Sequence, residues 1–335
     1  MLETRHINCP PKTYIMHKLP SESFCQPKGN KKHTSMKEVL SKVMRASAMG
    51  VAMCIFTCSA SGATRPSSRQ ADFSIYSLNW SGYISDISSV LAQSAVGVKG
   101  TFNIPKISGS CFAKGASAYS PLHFYEMAAW VGIGGTEENS LVQTGIIAEY
   151  SVLSLQSSNF LETSQKLSYL HISPFYEMLP LPPVRLHGLD MRPGDEISAS
   201  ILKSGKTKDS FTISLKDESN GKSFKKTLKY PLSNGYAVPH LSTEWVVERP
   251  AYQLNAKTFF QMPNFDPVTF KSSGMETTFL GLKGAEQFGI SGIGELIKID
   301  MSTNGTASTA LTNTSSLANS GSGFYVTDKG CPFGG

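Results

Sequence analysis

From about Phe73 to Thr327, apolar and polar side chains alternate in short runs, each ended by Gly, Pro, Asn or Ser. A period of two sends successive side chains to opposite faces of an extended chain, so these runs predict half-buried β-strands. Val98–Ile104, Ala128–Ile133, Glu196–Leu202, Phe211–Leu215, Thr243–Arg249 and Gly323–Thr327 read this way. Pro193-Gly-Asp195, Ser219-Asn-Gly221 and Ser233-Asn-Gly235 supply turn chemistry between such runs. No stretch carries a helical apolar stripe of convincing length. Many short strands at this spacing predict an all-β antiparallel sandwich, a class that runs past 200 residues as one domain. The Ser/Thr/Gly-rich stretch 302–323 is followed by Phe324-Tyr-Val-Thr327, which predicts a last strand returning to a sheet.

Two segments break the ordinary pattern. Leu141-Val-Gln143-Thr-Gly145 and Glu244-Trp-Val-Val-Glu248 set amide or acid side chains among core-forming apolar ones. In a strand, Glu244, Val246 and Glu248 share one face while Trp245 and Val247 fill the other. Carboxylates on a sheet face where Val, Trp or Thr would pack at lower cost point to acid/base chemistry in a partly desolvated groove. Glu244 and Glu248 stand about 13 Å apart at roughly 3.3 Å per residue. That exceeds the ~5–9.5 Å used by a two-carboxylate glycosidase, so the pair alone does not make one.

Of the 335 residues, 40% are apolar and 10% aromatic, enough for a well-buried core. The net charge of +6 is not spread evenly. Residues 1–63 carry nine Lys or Arg against three Asp or Glu, which leaves 22 of each sign in the rest. A neutral body gives no argument for nucleic acid. Met36 to Arg45 reads as the basic region of an export signal, Ala46 to Thr57 as its apolar run, and Ser59-Ala-Ser-Gly-Ala63 as the cleavage region. The apolar run is shorter than the roughly 20 residues of a spanning helix, and nothing later approaches that length. The expected organisation is a misassigned start or disordered extension at 1–35, a signal peptide at 36–63 and a single exported domain at 64–335. The expected destination is the medium or the periplasm, without stable membrane insertion. Phe56 and Thr57 disfavour a lipoprotein signal at Cys58. Only Cys111 and Cys331 remain in the exported body, either as one disulfide or as two free thiols. Its four scattered histidines and the lack of Cys-x-x-Cys or His-x-x-x-His spacing argue against a metal site, and no cofactor is expected.

The common hydrolase signatures are missing: no Gly-x-Ser-x-Gly, no Asp-Thr-Gly or Asp-Ser-Gly, no His-Glu-x-x-His. What remains is an ordered set of short motifs. These are Asn79-Trp-Ser-Gly-Tyr83, Gly100-Thr-Phe-Asn-Ile-Pro105, Trp130-Val-Gly-Ile133, Leu141-Val-Gln-Thr-Gly145, Phe175-Tyr-Glu177, Pro193-Gly-Asp195 and Glu244-Trp-Val-Val-Glu-Arg-Pro250. Each is common in β-proteins, but their joint order and spacing resembles the glutamic peptidases, or eqolisins, over about Asn79 to Thr327. The resemblance implies a concanavalin A-like sandwich of two antiparallel sheets, with the active site on the concave face of one. It also implies a Gln/Glu dyad, carried over here to Gln143 and to Glu248. A carboxylate can take a proton from an attacking water and return it to the leaving amine. A neutral amide can orient that water and donate N–H to the oxyanion. Trp130, Phe175 and Glu177 match groove positions, and Glu244 faces the same groove two pleats away. On the residues alone, Gln143 also reads as a surface strand glutamine, Trp130 as a core tryptophan and Glu244 as a partly solvated edge glutamate.

The chain departs from the family pattern at three places. Gly134 and Ile147 stand where fungal members carry Asp, and Phe175 stands for a tryptophan. Losing two carboxylates near the site changes what sets the glutamate's pKa and what engages substrate. Some 15 residues between the expected cleavage site and Asn79 leave no room for a large folded propeptide. The expectation is a secreted, monomeric, metal-free endopeptidase acting on unfolded polypeptides at acidic pH, insensitive to pepstatin. Its rival is a non-catalytic peptide- or carbohydrate-binding module on the same scaffold.

Overall fold

The computed structural model describes residues 71–330 apart from 91–92, 111–121, 137, 156–164, 205–206, 208, 233–235, 252–258, 280–285, 291, 293 and 319–320. The expected signal segment, the extension before it, Cys111, Cys331 and the turn at 233–235 lie outside the described residues.

Strands are numbered in chain order. The first sheet runs β1 (Phe73–Ser77), β16 (Glu295–Met301), β2 (Trp80–Asp86), β12 (Ser242–Glu248), β5 (Leu122–Gly134), β6 (Leu141–Leu155), β7 (Gln165–Met178) and β8 (Val184–Arg185). The second runs β11 (Ser223–Lys229), β10 (Ser210–Asp217), β9 (Glu196–Lys203), β3 (Gln93–Asn103), β14 (Val268–Phe279), β18 (Phe324–Asp328) and β17 (Thr312–Thr314), with β15 (Glu286–Gly289) also on β14. A small ladder joins β13 (Pro263–Phe265) to β4 (Ile107–Ser110). Among the described strands every pairing is antiparallel except β1 with β16, and an isolated bridge from Tyr125 to Gln261 is also parallel. A single 3-10 turn, Ala307–Thr309, is the only helical element among the described residues. The all-β sandwich expected from the alternation is therefore the observed fold, and β18 is the returning strand.

Alternation builds the core. Ile197, Ala199 and Ile201 of β9 and Phe211, Ile213 and Leu215 of β10 turn inward from the second sheet. Met127, Ala129, Val131 and Ile133 of β5 and Trp245 and Val247 of β12 meet them from the first. The Trp245 indole N–H donates to the Lys99 carbonyl of β3 at 2.8 Å, which pins the two sheets together. The turn after β10 forms as its residues require. Asp217 Oδ1 accepts the backbone N–H groups of Ser219 and Asn220, at 2.8 and 3.2 Å, and Gly221 takes φ +77°.

The other face of the first sheet carries a second apolar cluster that includes Trp80, Ala128, Trp130, Ile147, Phe175 and Val246. Its polar neighbours are the residues singled out by the motifs. β12 is central, hydrogen-bonded to β2 and β5, and every one of its residues is buried. Close approach to β2 depends on Gly82, whose φ is +135° and where a Cβ would overlap the Trp245 carbonyl oxygen. Gly82→Ala is expected to lower the unfolding free energy by about 2–4 kcal/mol. Gly221→Ala, with positive φ but open space around it, should cost about 1–2 kcal/mol. Denaturant midpoints of the two variants check the difference, and equal losses would refute the steric explanation.

Candidate active site

Register decides which side chains meet. On β12, β5, β6 and β7 the aligned residues are Glu244, Gly132, Gln143 and Glu177, successive partners across one row. The next row on this face is Val246, Trp130, Gly145 and Phe175. The one after is Glu248, Ala128, Ile147 and Ser173. Strands lie about 4.8 Å apart. Glu244 and Gln143 are thus separated by a single strand, at a position where that strand has no side chain. A Cβ on Gly132 would lie 2.7 Å from Trp130 Cζ3 and 3.1 Å from Glu244 Oε2, so glycine keeps the space beside Glu244 open.

Glu244, Gln143 and Glu177 are fully shielded from solvent. The Gln143 side-chain N–H donates to Glu177 Oε2. Gln143 Oε1, Glu177 Oε1 and both Glu244 oxygens have no hydrogen-bond partner. Buried polar atoms without partners are rare and costly. Four such oxygens in one row, acceptors wherever their carboxyl groups are ionised, mark a place prepared to receive donors. Burial raises the Glu244 pKa well above the ordinary carboxylate range, and the charges of Glu138 and Asp86 add to the rise. The Ser242 hydroxyl opposes it but does not close a hydrogen bond with either oxygen. Burial likewise raises Glu177, against the pull of its Gln143 hydrogen bond and with a further rise from Glu248.

Glu248 is placed differently. Its Oε2 accepts the Trp130 indole N–H at 2.7 Å and its Oε1 the Asn79 side-chain N–H at 3.5 Å. It stands four residues along β12 from Glu244, about 13 Å at roughly 3.3 Å per residue. Along the ladder Glu244 rather than Glu248 shares the row of Gln143, while the charge of Glu248 acts on Glu177, the hydrogen-bond partner of Gln143. Alternation had put both on one face, and only the pairing with β5 and β6 tells them apart. Full burial also removes the readings of Gln143 as a surface glutamine and Glu244 as a solvated edge residue. Trp130 is wholly buried, packed edge-on to Trp80 with centroids 5.2 Å apart, and hydrogen-bonded to Glu248. Phe175 lies beside it in the same apolar cluster.

The departures have local reasons. Gly134 adopts φ +91°, and a Cβ there would come within 2.5 Å of Pro239 Cβ, so the aspartate of fungal relatives does not fit this backbone. Ile147 is buried in the row of Glu248, which spares Glu248 a like charge. Two further groups escaped the sequence reading. Glu138 Oε1 accepts the backbone N–H groups of His240 and Leu241 at 2.7 and 2.9 Å, tying the β5–β6 turn to the entry of β12. Glu126 and Glu149 are cross-strand partners, and Arg185 holds Glu149 through two hydrogen bonds of 2.5 and 2.8 Å. Neither lies in a recognisable motif; only the ladder assembles them. Among the described residues, no group of three or more His, Cys, Asp or Glu is placed to hold a metal ion.

The fold is a sandwich of two packed, largely antiparallel sheets that buries carboxyl and amide side chains on one sheet face. A family model, the Peptidase A4 family, matches residues 78–323. The chain belongs to that family, the glutamic peptidases that its motifs resemble. Among solved structures, scytalido-glutamic peptidase in complex with a transition state analog inhibitor is similar at 18% identity, with a TM-score of 0.51, covering 75% of this chain and 98% of that one. Aspergilloglutamic peptidase from Aspergillus niger is similar at 21% identity, with a TM-score of 0.42, covering 61% of this chain and 99% of that one. The first likeness supports the fold. No curated protein matches the chain.

The buried carboxyl groups make stability depend on pH. Burial lifts the Glu126 pKa from 4.5 to about 7, with Glu149 adding to the rise and Arg185 opposing it. A raised carboxyl pKa means that the folded state holds the proton more tightly. Its contribution is complete below about pH 4.5 and is lost as pH rises towards 7. Glu177 and Glu244 act in the same direction. Glu149, lowered by Arg185, acts oppositely, but its change lies below the ordinary carboxylate range. Raising pH from 4.5 to 7.5 is expected to lower the unfolding free energy, with about 3 kcal/mol of the loss absent in Glu126→Gln. Urea unfolding across this range measures it; a stability that climbs instead would contradict the assignment.

Proposed function

We propose that the chain is an exported endopeptidase in which Glu244 and Gln143 carry the reaction and Glu177 holds Gln143 in place. The observation behind this reading is the row of four unpartnered buried oxygens on Glu244, Gln143 and Glu177, the first two residues flanking Gly132. A water held there would give its hydrogens to Glu244 and to Gln143 Oε1. Glu244 takes one proton as the water oxygen attacks the scissile carbonyl carbon. The Gln143 N–H not committed to Glu177 is available to the oxyanion. Glu244 then returns the proton to the leaving amine as the C–N bond breaks, and no group ends with a changed charge. Glu248 is a positioning residue that fixes the Trp130 ring beside Gly132.

The base must be ionised to act, and its pKa is raised, so the acidic limb of kcat/KM belongs above the ordinary glutamate value of 4.5. Activity should rise with pH through that limb. Export through residues 36–63, pepstatin insensitivity and indifference to chelators belong to the same proposal.

The test is cleavage of an acid-unfolded protein across pH 2 to 8, with pepstatin and a chelator present. Glu244→Gln and Gln143→Ala should each lower kcat/KM by about 10³ or more. Glu248→Gln keeps an acceptor for the Trp130 N–H and should stay within about tenfold of the parent. The reverse ranking would return the acid/base role to Glu248. No cutting by a folded protein at any pH would favour the binding module.

A second measurement concerns Glu177. Glu177→Gln retains a hydrogen-bonding amide but removes the neighbouring ionisable group. Glu244 is raised by burial, Glu138 and Asp86, and Glu177 by burial and Glu248, with neither raising the other. The acidic limb is therefore expected to stay in place, and a limb displaced by about one unit would overturn this. An unmoved limb would show that the two carboxyl groups titrate independently.

A further inference from the structure

The three long strands β5, β6 and β7, of 13, 15 and 14 residues, extend well past β2 and β12, which have seven each. The overhang carries the same face as the site row. Phe124, Ser151 and Tyr169 form a cross-strand row on it, eight residues along β5 from Gly132, about 26 Å at roughly 3.3 Å per residue. Here the face is open. Phe124 is 61% exposed, Tyr169 65% and Leu167 56%, against complete burial in the site row. A cavity lined by Phe124, Glu149, Tyr150, Ser151, Tyr169 and His171 opens between them, with the Tyr169 and His171 rings stacked at 6.3 Å. The Glu149 charge is matched by Arg185, so the cavity favours an apolar or aromatic side chain.

The backbone beside the cavity also lacks a partner strand among the described residues. β8 pairs only with Phe175 and Tyr176 of β7. The Leu186 N–H donates to the Pro174 carbonyl at 2.7 Å, so Pro174 turns its carbonyl away from β6. The register between β6 and β7 runs without a bulge. By the period of two, Ile172, Leu170 and Ser168 therefore turn both N–H and C=O to the same outer edge. Among the described residues, no strand pairs with that stretch. Edge strands are normally protected by charge, proline or a bulge, and Leu167-Ser-Tyr-Leu-His-Ile172 contains no Lys, Arg or Pro.

We propose that the outer edge of β7 from Leu167 to Ser173, with the adjoining cavity, is an exosite that takes an extended apolar segment of the polypeptide substrate as an added strand. The inference rests on the peptidase reading. Strand addition supplies affinity through main-chain hydrogen bonds, and the cavity supplies preference through an alternate side chain. A substrate reaching both places needs about eight extended residues between scissile bond and exosite. The enzyme would therefore favour long unfolded chains over short peptides. A second copy of the chain could also pair with this edge; the shared sheet face and the aromatic cavity favour substrate.

Ser168→Pro removes one outward N–H without touching the ladder to β6, and Tyr169→Ala opens the cavity wall. Reduced, carboxymethylated ribonuclease serves as the long substrate and a hexapeptide cut by the enzyme as the short one. Each variant should raise KM for the long substrate about tenfold, leaving its kcat and all hexapeptide kinetics unchanged. An unchanged KM, or equal losses on both substrates, overturns the proposal. So does a dimer that Ser168→Pro dissociates without effect on the substrate. Binding of fluorescein-labelled carboxymethylated ribonuclease to Glu244→Gln, with and without Ser168→Pro, separates the two readings. If nothing is cut but Ser168→Pro still weakens binding, the exosite stands and the peptidase reading falls; cutting with unaltered binding removes the exosite alone.

Discussion

The unbroken antiparallel ladder through β12, β5, β6 and β7 is the constraint on which the rest depends. Side chains project with a period of two, so a one-residue slip of any of these strands would send its site residue to the opposite face. Slips of two would leave the face correct and still part Glu244 from Gln143. The register is held from both ends: Glu138 ties the β5–β6 turn to the entry of β12, and the Trp130 indole fastens β5 to Glu248 at the exit of β12. The inter-sheet core, with Trp245 reaching across to β3, holds the ladder against lateral drift.

On that frame the molecule maintains an arrangement that stability alone would not select. Apolar side chains fill most of the outer face of the first sheet, yet Glu244, Gln143 and Glu177 are buried among them with oxygens unpartnered. Each such oxygen costs folding free energy of about 1–3 kcal/mol. The same desolvation that imposes this cost raises the carboxyl pKa values and strengthens the electrostatics available to a reacting group. Gly132 is the local device that keeps the space open, since any larger residue would close on Trp130 and Glu244. Gly134 and Ile147 show how such a site tolerates change: one lacks room for a side chain, and the other trades a charge for apolar packing.

The fold was largely legible along the chain. The alternation in β9, β10 and β18 and the turn at Ser219-Asn-Gly221 follow from local rules of side-chain direction and backbone freedom, which do not need a partner strand. The candidate site was legible only in part. Gln143, Trp130, Phe175 and Glu177 stood out through ordered motifs. The cross-strand neighbours of Glu244 and Glu248 did not, because two glutamates four residues apart in a strand are equivalent by alternation. Glu126, Glu149 and Arg185 were invisible for a related reason: each is an ordinary polar residue until the ladder sets it opposite another.

By itself the sequence determined the class of fold, the face on which each side chain of β12 would fall, and the family. Periodicity and motif order are properties of one chain read in one direction. Only the tertiary structure decided that Glu244 shares a row with Gln143 while Glu248 holds a tryptophan, and that no described strand pairs with the β7 edge beyond β8. Those outcomes depend on which residues of separate strands come to lie opposite one another. That register is set by the whole network of ladder hydrogen bonds and core contacts, and no local pattern encodes it.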